Sequence, residues 1–236
     1  MVSAGLVTTL FEYPGSRLHM ALASADLRRV FTGLFMGLTA ITLIYSPMGK
    51  RSGAHMNPAV TLSFLRLAKI SRLDASAYIM MQFAGGIAGV LLVQWLAGTS
   101  FTDRPVNWAI TAPGAYGTLS AFAAEVIISA GMMWTVLNVS ASPKTARYTG
   151  LCAGALVALY ISVEGPISGM SMNPARSFAS AAPAGMWQAL WIYFSAPLVG
   201  MLGATELHLR LHRRSACAKL MHAPRQRCIH CGYQPV

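Results

Sequence analysis

The chain has 236 residues, of which 55% are hydrophobic and only 11% charged, and its formal net charge is +11. So few charged residues cannot cover an ordinary soluble domain, whereas the apolar length is enough for several membrane spans. Lys and Arg concentrate in alternate connections and at the C-terminal end, as cytoplasmic loops of membrane proteins do. The charge therefore indicates topology, and no motif supports nucleic-acid binding.

The first half of the chain carries three apolar segments. Residues 1–11 form the first, and at about 1.5 Å per residue they cover only half of a hydrocarbon core about 30 Å thick. Residues 30–45 and 75–97 are predicted to be complete spans. Residues 98–117, with two prolines, read as a connection between halves.

The second half repeats this order. Residues 119–139, 148–163 and 187–211 are predicted spans. Aromatic residues of the last one are expected to anchor it at the membrane interface: Trp187, Trp191 and Tyr193.

An eight-residue pattern, Ser-Gly-x-x-Met-Asn-Pro-Ala, occurs once in each half, at residues 52–59 and 168–175. Asn suits the N-cap of a helix and Pro its first position. The two short helices are predicted to end near Leu65 and near Ala181, before Pro183. A helix that starts inside a membrane leaves backbone groups that lipid cannot satisfy, so it must be surrounded by protein or face a water-filled cavity. The two starts therefore imply a cavity.

Each half thus has three spans, with one copy of the eight-residue pattern between the second and the third. Because three is odd, the second half enters the membrane from the opposite side, which predicts an inverted repeat. The predicted parts are residues 1–97 (first repeat), 98–118 (connecting loop), 119–211 (second repeat) and 212–236 (basic cytoplasmic tail).

The paired Asn-Pro-Ala boxes, with Arg176 directly after the second, resemble the major intrinsic protein family of aquaporins and glycerol facilitators. The resemblance covers residues 1 to about 211 and implies an all-α, right-handed bundle of six spans plus two re-entrant half-helices. It also implies a homotetramer with one pore per subunit. Family members have a full-length first helix, so either this first span is degenerate or, as we favour, the natural start lies upstream of Met1.

The boxes are the predicted centre of a pore. Two half-helices that meet near the midplane aim their positive dipole ends at one point and disfavour cations there. The side-chain amides of two asparagines could both donate to one water and so break a proton wire. Backbone carbonyls of residues 53–56 and 169–172 would line the rest. The predicted box residues are Asn57, Pro58, Ala59, Asn173, Pro174 and Ala175.

The resemblance also implies an outer constriction. Arg176 would be its pore-lining donor, and the alternative is a buried partner of Glu125 or Glu164. The matching positions give the set Met36, Ile161, Met170 and Arg176. Water-selective members have an aromatic residue and a histidine at the first two, and a slip of one residue would replace Ile161 by Tyr160.

The residue after Arg176 and the two methionines also leave the permeant open. Ser177 stands where glycerol facilitators usually carry aspartate, and the two methionines could simply pack a core. The permeant therefore stays undecided between water and small uncharged solutes.

Glu125 lies inside a predicted span, where a carboxylate is costly and normally faces the bundle interior. The resemblance implies a structural role, in which this buried acid orients backbone amides of a re-entrant loop.

Four cysteines do not form a disulfide framework, since Cys152 lies in a span and the others in the tail. Cys228 and Cys231, with Cys217, His222 and His230 nearby, could hold zinc. One C-x-x-C pair supplies only half of a four-ligand site, so we favour no metal, no cofactor and a disordered basic tail.

No catalytic constellation stands out, so an enzyme is not expected. The function favoured by the sequence is a passive water channel in the cell membrane, the inner membrane if the cell is bacterial. A facilitator of glycerol, urea or ammonia is the near alternative. A membrane scaffold that conducts nothing is the other.

Overall fold

The computed structural model describes residues 1–142, 144–211, 217–222, 227–228 and 230–231, and within these ranges the regular structure is entirely helical. The helices are α1 (Val2–Glu12), α2 (Arg17–Ala21), α3 (Ala25–Tyr45), α4 (Pro47–Ser52), α5 (Pro58–Arg66), α6 (Arg72–Ala97), α7 (Thr99–Thr102), α8 (Gly117–Ala141), α9 (Thr149–Ser168), α10 (Pro174–Ala184) and α11 (Leu190–Leu211). Much of the predicted tail, 212–236, lies outside the described residues.

In the described part of the chain five helices are long and apolar enough to cross a membrane, namely α3, α6, α8, α9 and α11. α1 is apolar but has only 11 residues. It begins beside the middle of α6, where a Cβ added to Gly89 would lie 3.1 Å from Met1 Cβ. The prediction of five complete spans and one short one is confirmed.

The outer surface of the bundle is apolar. Trp95 on α6 and Leu119 on α8 are each 80% exposed. Such side chains would be costly in water and suit a lipid environment.

The helices pack in a crossed pattern that relates the two halves. α3 of the first half packs against α9 of the second, the half-helix α5 contacts α11, and the half-helix α10 contacts α6, whereas α8 and α11 pack within the second half. Each half-helix therefore rests on the last span of the other half, which agrees with the predicted inverted repeat.

Glycines bring α3 and α9 into backbone contact. A Cβ on Gly37 would lie 2.5 Å from Gly154 O, and one on Gly154 would lie 2.6 Å from Gly37 O. On α6, a Cβ on Gly86 would lie 2.9 Å from Ala179 Cβ of α10. Small residues thus set the distance between these helices.

Two helices end later than predicted, at points set by glycine. α9 continues through Pro166 to Ser168, and α10 continues through Pro183 to Ala184. The next residues, Gly169 and Gly185, have φ of 79° and 65°, the left-handed conformation that commonly ends a helix.

The prediction that Tyr193 is an interfacial anchor is wrong. Trp187 and Trp191 are 55% and 59% exposed, but Tyr193 is fully buried. Its hydroxyl donates to Ser168 O at 2.5 Å, so it supports the end of α9 instead. α11 also begins at Leu190, later than the predicted start of the span.

Candidate functional site

The half-helices α5 and α10 start at the two asparagines of the boxes. Asn57 and Asn173 have extended backbones, with φ of −146° and −145°. Asn57 Oδ1 accepts from Ala59 N at 2.9 Å, and Asn173 Oδ1 accepts from Ala175 N at 3.0 Å. Both side chains therefore have the geometry of N-caps, which orients their amide nitrogens.

Those amide nitrogens bond crosswise between the two halves of the chain. Asn57 Nδ2 donates to Met172 O at 2.6 Å, and Asn173 Nδ2 donates to Met56 O at 2.8 Å. A primary amide carries two N–H groups, so each asparagine has a second N–H beyond the one used here. Both residues are partly exposed, so these donors can reach a passing molecule.

The loops before the boxes have left-handed backbones. Gly53 and Ala54 have φ of 84° and 57°, and the matching Gly169 and Met170 have φ of 79° and 45°. The first loop is held by α6, because Gln82 Nε2 donates to His55 O at 2.7 Å. Loop carbonyls were predicted to line a pore. Those of Met56 and Met172 bind the asparagines, which leaves each oxygen a second lone pair.

Glu125 on α8 holds the second loop. Its Oε1 accepts from Ser168 Oγ and Ser171 N, and its Oε2 accepts from Met172 N, all at 2.7 Å. The residue has no exposed surface. A carboxylate that receives three donors suits the amide-orienting role that the resemblance implies.

A chain of buried hydroxyls supports the same loop and was not predicted. Ser177 Oγ lies 2.6 Å from both Thr111 Oγ1 and Ser171 Oγ. Ser171 Oγ also accepts from Asn173 N at 3.2 Å. In the sequence, these residues and Gln82 were visible only as isolated polar residues within apolar surroundings.

Arg176 lies in the first turn of α10 and is partly exposed. The ion pairs among the described residues join other groups and do not include Arg176 with Glu125 or with Glu164. Its Nη1 is buried and has no hydrogen-bond acceptor in the described protein. Because the residue is partly exposed, a molecule beside α10 can reach the guanidinium only at N–H groups other than those of Nη1.

The other positions of the implied constriction lie on three elements. Met36 on α3 is partly exposed, and Ile161 on α9 packs against the apolar cluster that contains Met170. Met170 is 7% exposed. Tyr160 points to α8, since a Cβ on Gly131 would lie 2.6 Å from the Tyr160 hydroxyl. Tyr160 is therefore engaged in helix packing.

A known protein family matches most of this chain. The family model described as Major intrinsic protein matches residues 1–208. The chain belongs to the major intrinsic protein family. The paired boxes, the crossed half-helices and the buried acid are thus features of one member of that family.

Curated relatives include plant proteins. Putative aquaporin NIP4-1 of Arabidopsis thaliana is 34% identical over 167 residues, which are 70% of this chain and 57% of that protein. Nodulin-26 of Glycine max is 31% identical over 174 residues, or 73% of this chain and 62% of that protein. The chain thus matches less than two thirds of the length of these relatives.

A solved structure has the same fold. The aquaglyceroporin from Plasmodium falciparum aligns with a TM-score of 0.71 over 88% of this chain and 89% of that chain, at 18% sequence identity. At this identity the likeness shows the fold of a family member, an all-helical membrane bundle.

Proposed function

We propose that this chain is a passive transmembrane channel for water and not an enzyme. The observation that carries the proposal is the crosswise pair of amide bonds, from Asn57 to Met172 O and from Asn173 to Met56 O. They hold two partly exposed asparagines side by side where two half-helices start. Relatives named aquaporins support the same function.

The mechanism follows from the remaining donors. A water between the boxes would accept one N–H from Asn57 and one from Asn173, and would have to point its own hydrogens away along the path. It could not then relay a proton. The N-termini of α5 and α10 each carry about half a positive elementary charge, which disfavours cations at the same point.

The proposed constriction consists of Met36, Ile161, Met170 and Arg176. Arg176 would supply the donor, because the residue is partly exposed and a guanidinium carries five N–H groups. The other three side chains are apolar and flexible or branched, and they lack hydrogen-bonding groups that would favour water over a small alcohol. Glu125 positions the second loop through its three accepted bonds.

This apolar set is also the observation that favours a second candidate, a facilitator of small uncharged solutes such as glycerol, urea or ammonia. The fold shared with a protein named an aquaglyceroporin is compatible with it. A non-conducting scaffold is the remaining alternative.

Osmotic shrinkage of proteoliposomes that contain the full chain tests the three functions. We expect fast shrinkage in an impermeant osmolyte and no re-swelling in glycerol. Re-swelling in glycerol would show the solute facilitator. Shrinkage no faster than that of empty liposomes in both media would overturn both channel functions and leave the scaffold.

The role of the boxes is tested by Asn173→Asp, which keeps the capping oxygen and removes both amide donors. Water permeability should fall about tenfold or more, because a hydrogen bond worth about 1.4 kcal/mol is lost on the path. Asn107→Asp is the matched control, since Asn107 lies in the connection and its side-chain amide donates to Met186 Sδ at 3.6 Å. Equal permeability of the two variants would refute the role of the asparagines.

We also propose assembly as a homotetramer with one pore per subunit, in the cell membrane, and in the inner membrane if the cell is bacterial. The division into two repeats at 1–97 and 119–211, a connecting loop at 98–118 and a cytoplasmic tail at 212–236 belongs to the same proposal. The crossed contacts of α5 and α10 support the division into two repeats. A cross-linking series of the purified protein that stops at four subunits is the expected result.

A further inference from the structure

Four side chains of the C-terminal segment converge on one point. They are Cys217, His222, Cys228 and Cys231, whose ligand atoms all lie within 4.8 Å of one another. Cys217 Sγ lies 3.7 Å from Cys228 Sγ, and His222 Nε2 lies 3.2 Å from Cys231 Sγ. The segment that was predicted to be a disordered tail therefore brings together a complete set of four soft ligands.

The separation of two of the sulfur atoms fits a tetrahedral metal ion. With Zn–S bonds of about 2.3 Å, two thiolates of a tetrahedral zinc site are about 3.8 Å apart. The Cys217–Cys228 separation of 3.7 Å matches this value. A disulfide needs about 2.05 Å, and the cysteines are free. Three thiolates and one imidazole are a ligand set typical of structural zinc.

The surroundings of the cluster suit a charged site. The backbone N of Lys219 donates to Cys217 Sγ at 3.5 Å, an interaction of the kind that orients metal-bound thiolates. Zn²⁺ with three thiolates and a neutral imidazole carries a net charge of −1. Lys219, which is only 6% exposed, belongs to the same segment and can balance it.

The same segment packs against the loop that leads to the first box. His55 Nε2 donates to Ala218 O at 2.7 Å. A Cβ on Gly53 would lie 3.1 Å from Lys219 Cα and 3.2 Å from Ala218 O. Ala218 and Leu220 are 1% and 7% exposed and belong to the main apolar cluster of the bundle. An interaction that fixes this segment would therefore also keep the loop at residues 53–56 covered.

We propose that Cys217, His222, Cys228 and Cys231 bind one Zn²⁺ ion, which fixes residues 217–222 against the loop at residues 53–56. Binding displaces the three thiol protons to solvent and involves no oxidation. The site is independent of what the channel conducts. It would make the cover over this loop dependent on zinc.

Metal content of the purified full chain tests the site. We expect about one zinc ion per chain, and Co²⁺ in its place should give the strong visible absorption of a tetrahedral thiolate complex. Cys228→Ser should reduce bound zinc at least tenfold. Cys152→Ser is the matched control, because Cys152 lies in α9 and outside the cluster, and it should keep the ion.

Two histidine variants separate loss of a ligand from loss of folding. His222→Ala should lose zinc, whereas His222→Cys, which supplies a fourth thiolate, should retain it. His230→Ala should also retain it, because His230 is in the same segment but outside the ligand set. Absence of zinc from the wild-type chain, equal zinc in C228S and C152S, or a disulfide in place of thiols would overturn the proposal.

Proteolysis after lysine tests the anchoring. Lys219 is 6% exposed, so the zinc form should resist cleavage there, and a chelator should speed release of residues 220–236 at least tenfold. Cleavage after Lys144, which is exposed, serves as the internal control and should not change. If the chain binds zinc but the cleavage rate at Lys219 is the same with and without the chelator, the anchoring is refuted.

Discussion

Replacing Glu125 by glutamine tests whether this acid holds the second loop. Its carboxylate accepts from Ser168 Oγ, Ser171 N and Met172 N. Glutamine has one acceptor oxygen and one NH₂ group, so in its better orientation the oxygen keeps the two bonds at Oε1 and the NH₂ faces Met172 N–H at about 2.7 Å. The bond from Met172 N–H to the carboxylate is then lost, and this N–H and the glutamine NH₂ are two donors that face each other.

The expected cost follows from the burial of this residue. A hydrogen bond to a charged group is worth about 1.5–3 kcal/mol, and an unsatisfied buried donor adds about 1 kcal/mol or more. Because Glu125 has no exposed surface, solvent cannot replace the lost partner. We expect Glu125→Gln to lower the free energy of unfolding by about 2–4 kcal/mol.

The assay is reversible unfolding in mixed micelles with increasing SDS, with wild type and a matched variant alongside. Glu206→Gln makes the same chemical change at a solvent-exposed ion pair with Arg66, where the side chains of Arg66 and Glu206 are 53% and 40% exposed. Its cost should stay below about 1 kcal/mol. Equal stability of E125Q and E206Q would refute the reasoning and would mean that the loop does not depend on the carboxylate.

The same unfolding assay checks three further predictions. Gly154→Ala should lower the free energy of unfolding by about 1–3 kcal/mol, because its Cβ would lie 2.6 Å from a carbonyl oxygen of α3. Gly203→Ala, whose Cβ would have nothing within 4 Å, should leave the free energy of unfolding unchanged. Equal effects of the two variants would contradict the close packing of α3 and α9. Arg28→Met should lower the free energy of unfolding by about 2 kcal/mol, since Arg28 donates to two carbonyls at 2.9 and 3.1 Å besides its ion pair with Glu12. Glu12→Gln, which affects only the ion pair, should lower it by about 1 kcal/mol or less. A larger cost for Glu12→Gln would reverse this ranking. Ser177→Ala removes two hydroxyl contacts of 2.6 Å and should cost about 1–2 kcal/mol, so unchanged stability would argue against the buried chain.

The spans and the starts of the half-helices could be predicted from the sequence because their causes are local. A run of about 20 apolar residues is long enough to cross a membrane wherever it occurs. Asn-Pro is a cap and a first turn in any context, and α5 and α10 begin at Pro58 and Pro174 as predicted. Helix ends were less certain, because Gly169 and Gly185 end α9 and α10 later than the nearby prolines suggested.

Contacts between distant parts of the chain could not be predicted in this way. Asn57 and Met172 are 115 residues apart, and only the crossed packing of α5 and α10 makes their bond possible. Gln82 and Ser177 each look like an ordinary polar residue in the sequence. Their partners, His55 O and Thr111 Oγ1, become visible only once the helices are assembled.

The C-terminal cluster shows the same division. The sequence by itself contained Cys228 and Cys231 as half of a metal site and favoured a tail without metal. The tertiary structure brings Cys217 and His222 to them, because residues 217–222 pack against the apolar core and His55 bonds to Ala218. Residue types and local spacing determine which ligands are available, whereas burial against a distant loop decides whether they meet.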